Sequence, residues 1–235
     1  MRFEVTRSSE NGAGPATVAV RIAVLSALMV LCVVAYAWGW YPPAWAATST
    51  AILEVRITNV RDSAFTVSWI TDGPASGQVN YGTSSGDLNQ TAHDVRGAGT
   101  VDDVHYVTIS GLTPEGMYYF EVVSDGATQA GFEVTTGPTL GVRGPDLIYG
   151  QIFKADGSTP AGGTIVYLTL SDDDGLGSPA EAAPMSGLVE SSGWWSVNLE
   201  NARVSTLDAY FNYSASGDDL ELDAQGAGDG TANQT

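Results

Sequence analysis

The stretch Gly111-Leu112-Thr113-Pro114-Glu115-Gly116-Met117-Tyr118-Tyr119-Phe120-Glu121-Val122 decides the fold. Leu112 precedes Tyr118 with Pro114 between them, and an apolar alternation starts at Met117. Side chains alternate across a strand, so Tyr118 points inward and Tyr119 outward. A ring placed this way caps the edge of a β-sandwich, with its hydroxyl bonded to backbone upstream: a tyrosine corner.

Working outward, period-2 alternation recurs at short intervals, broken by Gly, Pro, Asp and Ser clusters. The strands read are Ile52–Val60, Ala64–Thr71, Gly77–Tyr81, Leu88–Thr91, Val104–Ser110, Met117–Ser124 and Gln129–Thr135. Phe65, Val67 and Trp69 share one face, which puts Trp69 in the core with Leu112 and Tyr118. Asp72-Gly73-Pro74 is turn chemistry that closes the second strand. His105 falls on a strand and His93 in a loop. This even rhythm is that of an antiparallel sandwich over residues 50–137.

With Val67-Ser68-Trp69, Val79-Asn80-Tyr81-Gly82 and the Leu112/Pro114/Tyr118 corner in view, residues 50–137 resemble a fibronectin type III domain, an immunoglobulin-like fold. The Arg-Gly-Asp tripeptide of some adhesive members is absent. A similar sandwich precedes the catalytic domain of purple acid phosphatases. That enzyme's metal centre needs several His, Asn and carboxylate ligands on a separate α/β domain. His93 and His105 are the only two histidines in the chain, and no α/β pattern follows them.

Thr136-Gly137-Pro138 ends the first domain, and residues 138–145 form a Gly- and Pro-containing linker. Strands then reappear at Leu147–Lys154, Thr164–Leu170, Met185–Glu190, Trp194–Leu199, Thr206–Tyr213 and Asp219–Asp223, giving a second sandwich over residues 146–229. Gly150, Gly157, Pro160, Val166, Gly193 and Trp195 fall on the rhythm of the carboxypeptidase regulatory-like domains, and the segment resembles that transthyretin-like family. The likeness departs after Asn201-Ala202-Arg203. These relatives are accessory domains, so the resemblance implies no catalytic residues. Residues 230–235 read as a polar tail, either a frayed end or a truncation.

Ahead of both domains, Ile22–Trp40 is uncharged and almost wholly apolar, with Arg2, Arg7 and Arg21 before it. Pro42, Pro43 and the Ala44-Trp45-Ala46 site after it fit cleavage of an export signal, so residues 1–46 are expected to be removed. The run also approaches the ~20 residues that span a bilayer, so retention as an N-terminal anchor is the alternative. Either reading places the remainder outside the cytoplasm, extracellular or at the cell surface. The sole cysteine, Cys32, lies within this run. The domains therefore hold no disulfide and rely on their own cores.

Composition removes several classes of function. Asp and Glu number 27 against 9 Lys and Arg, for a net charge of −18. A chain this poor in cations releases few phosphate counterions, so nucleic acid is excluded as a partner. Docking on anionic lipid through a basic patch fails for the same reason, leaving membrane contact only through residues 22–40 if uncleaved. No phosphate loop, dinucleotide fingerprint or nucleophile elbow occurs, and neither a cofactor nor a catalytic residue is implied.

Two features suggest binding. Asp172, Asp173 and Asp174 lie together before Gly175, where oxygen ligands could gather around Ca²⁺, although EF-hand spacing fails and loop acids commonly serve turns. Trp194 and Trp195 adjoin on a strand, so one is core and the other is free to stack on a sugar or a partner; Tyr119 follows the same logic. The fold class expected is therefore all-β, two tandem antiparallel sandwiches after a hydrophobic export helix. The function expected is that of a non-catalytic spacer or binding module with a protein or polysaccharide partner. Accessory domains of an exported hydrolase and a carbohydrate-binding module are the alternatives.

Overall fold

A computed structural model describes residues 2–4, 50–214 and 217–234. The hydrophobic run 22–40 lies outside them, so the export helix is not among the described elements. Among the described residues no helix is long and apolar enough to cross a membrane. Strand β1 (Arg2–Glu4) pairs in parallel with Gln151–Phe153 of the second sandwich; every other strand pair described is antiparallel.

Alternation drives the first sandwich. Its strands are β2 (Ile52–Thr58), β3 (Ala64–Ser76), β4 (Gln78–Gly82), β5 (Gln90–His93), β6 (Val101–Ser110), β7 (Met117–Ser124) and β8 (Ala127–Thr135). They form a β2-β3-β6 sheet facing a β5-β4-β7-β8 sheet. Phe65, Val67, Trp69, Val107 and Ile109 from one sheet meet Val79, Tyr118, Phe120 and Val122 from the other. Trp69 is fully buried, and its indole N–H donates to Ser124 Oγ at 2.9 Å. The Tyr118 hydroxyl accepts from the Thr113 N–H at 2.9 Å, which pins the chain where it turns over the sandwich end. Leu112 packs in the same core.

Two local readings are corrected. Asp72-Gly73-Pro74 does not end its strand. Thr71 Oγ1 donates to Gly73 O at 2.8 Å, Asp72 Oδ1 accepts from Ala51 N–H, and the register shifts between Ile70 and Ala75. The turn residues thus make a bulge, after which β3 still pairs with β6. His93 ends β5, opposite Gln78, instead of lying in a loop.

The second sandwich comprises β9 (Leu147–Phe153), β10 (Ile165–Ser171), β11 (Met185–Leu188), β12 (Trp194–Asn198), β13 (Asp219–Gln225) and β14 (Thr231–Gln234). A β1-β9-β12 sheet packs on a β11-β10-β13-β14 sheet. Ile152, Val166, Leu168, Trp195, Val197, Phe211 and Leu222 fill the space between. Gly150 lies directly under the Trp195 indole, where an added Cβ would sit 2.9 Å from Nε1.

Thr206–Tyr213 forms no strand. Leu207 has a left-handed φ of 67°, and the segment makes only an isolated bridge, Arg203 to Tyr210. Its alternation arises because Phe211 plugs the sandwich end while its neighbours stay outside. Within the residues read as a polar tail, Thr231–Gln234 pairs with β13 as an edge strand.

Candidate functional site

The outward faces of β3 and β6 carry Thr66, Ser68, Tyr106 and Thr108, residues whose alternation suits a wet surface. Thr66, Ser68 and Tyr106 are instead buried, along with Thr58 at the end of β2. Thr58, Ser68 and Tyr106 meet β10 and β11 of the second sandwich. Val104, Tyr106, Ile165 and Tyr167 form a small apolar cluster there, with Ile70 and Leu188 against it.

The polar atoms of this junction are paired across it. Thr58 Oγ1 and Ser186 Oγ lie 2.6 Å apart, and Ser68 Oγ and Tyr167 Oη 2.9 Å apart. Asn59 Nδ2 donates to Ser186 O and Asn59 Oδ1 accepts from Ser186 N–H, each at 3.0 Å. The Tyr106 hydroxyl donates to the same Ser186 carbonyl. At the rim Arg56 pairs with Asp223 at 3.0 Å and lies over the Tyr167 ring. Burial pushes both phenols above the usual tyrosine range, so they remain neutral hydrogen-bonding groups.

The linker is held as well. Buried Arg203 donates to Pro138 O at 2.9 Å and to Leu207 O at 2.8 Å, and the Tyr210 hydroxyl donates to Gly141 O at 2.5 Å. Thr139 Oγ1 reaches Asp62 Oδ2 of the first sandwich at 3.0 Å. Sequence alternation could not reveal this junction, because hydroxyl residues facing a partner sheet read the same as hydroxyl residues facing water. The bulky Tyr106 between Val104 and Thr108 was the available hint.

The structure separates the paired indoles. Trp195 points into the second core at 2% exposure, whereas Trp194 lies outside at 46%. Tyr149, on the adjacent strand β9, is 64% exposed, and its ring centroid is 6.3 Å from that of Trp194. Tyr119 is half-buried on the first sandwich, its hydroxyl donating to Met117 Sδ at 3.1 Å. Tyr149 was not singled out from sequence, because only the β9–β12 pairing brings it beside Trp194.

The acidic loop is rearranged relative to its sequence reading. Carboxylates of Asp172, Asp174 and Asp218 lie within 4.8 Å of one another, and Asp173 is not part of the group. Asp218 enters because Ser171 pairs with Asp219 across β10 and β13. Each of the three already accepts backbone N–H groups: Asp172 from Gly175, Asp174 from Leu176, and Asp218 from Ser214 and Asp173. These are turn-forming bonds. Neither histidine joins the group.

Comparison with protein families matches residues 52–136 to the purple acid phosphatase N-terminal domain. The match spans the first sandwich, whose two facing sheets have a fibronectin III-like β-sandwich fold. Comparison with curated proteins finds no match.

Proposed function

We propose that this chain is a non-catalytic, extracytoplasmic spacer and binding module of a secreted or cell-surface protein, its two sandwiches acting as one stiff strut. The observation that carries the reading is the junction at Asn59, Tyr106 and Ser186. Independent domains joined by a free linker bury little polar surface between them; here hydroxyls, an amide and backbone groups are desolvated together and matched. Such a strut holds whatever it bears at a fixed distance and angle. The second sandwich fits the carboxypeptidase regulatory-like pattern, an accessory role in that family, and the apolar run with its Ala44-Trp45-Ala46 site favours export of a second sandwich that holds together without β1.

A second reading has a specific observation behind it. The likeness of residues 52–136 to the purple acid phosphatase N-terminal domain favours accessory domains of an exported hydrolase whose catalytic part is not in this chain.

Scanning calorimetry of the full chain tests the strut. Both sandwiches melting in one transition is expected; two transitions assignable to separate sandwiches would reject it. Assay against a phosphomonoester tests the absence of catalysis, and turnover that copurifies with the chain would overturn it. Surface proteolysis of intact cells, followed by fractionation, tests the location.

A further inference from the structure

Among the described residues Tyr149 and Trp194 are the two large exposed aromatics, and they are neighbours on one sheet face. The register pairs Trp194 with Gln151, Ser196 with Tyr149 and Asn198 with Leu147. Alternation sends Gly150, Ile152, Trp195 and Val197 inward, so these six residues share the outer face. Leu147 is 60% exposed beside them. None of the six is charged, in a chain of net charge −18; at the β1 edge of the sheet Arg2 pairs with Gln151. Acids stand at the ends instead: Asp146 before Leu147, Glu190 before the Trp194 turn, and Glu200 after Asn198.

We propose that the outer face of β9 and β12, centred on Trp194 and Tyr149, binds a neutral polysaccharide of β-linked pyranose rings. Aromatic rings stack on the C–H faces of pyranoses, and neutral amides and hydroxyls between them suit sugar hydroxyls. The centre of the face, around Trp194, Tyr149 and Ser196, offers no charged side chain to an anionic polysaccharide, nucleic acid or anionic lipid, which favours a neutral glycan. This adds a partner to the strut reading and fails separately from it: glycan retention does not depend on how many melting transitions occur.

The test is retention of the full chain on amorphous cellulose and on chitin, with pectate and anionic phosphatidylserine vesicles as competing surfaces. Retention on at least one neutral glycan is expected, with quenching of tryptophan fluorescence by its soluble oligosaccharides. Trp194→Ala and Tyr149→Ala should each weaken retention up to about tenfold, the size of one stacking contact, while Tyr119→Ala leaves it unchanged. Circular dichroism melting of Trp194→Ala at the wild-type temperature keeps the result from being one of folding. No retention on either neutral glycan, retention only on pectate or vesicles, or unchanged retention by Trp194→Ala overturns the proposal.

Discussion

Trp69 on β3 and His105 on β6 lie directly opposite each other, their rings stacked with centroids 4.8 Å apart and planes 18° from parallel. Gly77 closes over the pair: an added Cβ would meet Trp69 Cζ2 at 2.8 Å and run into His105 Nδ1. The His105 side chain is fully buried; Nε2 is 3.4 Å from Thr71 Oγ1, and Nδ1 has no partner among the described residues.

Burial therefore pushes the His105 pKa below its ordinary 6.5, against the attraction of Asp94, Asp102 and Asp125. The unfolded chain takes up a proton near pH 6.5 that the native state refuses. Stability is thus full above pH 6.5 and falls as pH drops from there toward the native value, by at most about 1.4 kcal/mol per pH unit. Urea unfolding between pH 7.5 and 5 should show this decline, flattened in His105→Gln. An equal decline in the variant would assign it elsewhere.

Asp94 anchors the opposite protonation behaviour. Burial alone would raise its carboxyl, but hydrogen bonds from the Arg96 guanidinium and from the N–H groups of Tyr106 and Arg96 outweigh it and hold the pKa below 3.8. That contribution is present above about pH 4 and lost as pH falls through the native value. Asp94→Ala also strands Arg96 and should cost about 3 kcal/mol at pH 7. Asp94→Asn, which keeps an acceptor, should cost less. Equal losses in the two variants would mean that the hydrogen bonds contribute little.

Asn59 joins the sandwiches through both ends of its amide, and its backbone N–H donates to Pro184 O. Asn59→Ala leaves the Ser186 N–H buried without its acceptor and should cost about 1–3 kcal/mol. The calorimetric transition should broaden or split in this variant. A transition as sharp as wild type, shifted by less than about 1 °C, would show that the junction contributes little.

The adjacent tryptophans should separate cleanly in stability. Trp195→Ala empties the second core and is expected to cost about 3–5 kcal/mol, whereas Trp194→Ala should stay within about 1 kcal/mol. Gly150→Ala should also destabilise, because its methyl must displace the Trp195 indole. Chemical denaturation measures all three, and a tolerant Gly150→Ala would mean that the indole can move aside.

The first sandwich was legible in residues 50–137 because each strand carries its own alternation and Tyr118 sits at a diagnostic distance from Leu112. Trp69 could be assigned inward from parity alone, and parity put one of Trp194 and Trp195 inward without saying which. Three things were not legible. The bulge at Asp72-Gly73-Pro74 uses the same residues that end strands. Asp218 and Tyr149 reach their partners only through pairing between strands distant in sequence. The junction hides behind polar residues, and whether a threonine faces water or a neighbouring sheet is decided by tertiary packing, not by local pattern.

The hydroxyl-lined contact also limits how these domains can be reused. A first sandwich transplanted onto another protein would carry Ser68, Thr58 and Tyr106 into solvent and abandon Tyr167 and Ser186 on the stump. Shuffling by recombination should therefore succeed only when the two sandwiches travel together, and a protease nick between Pro138 and Pro145 should leave halves that stay clasped.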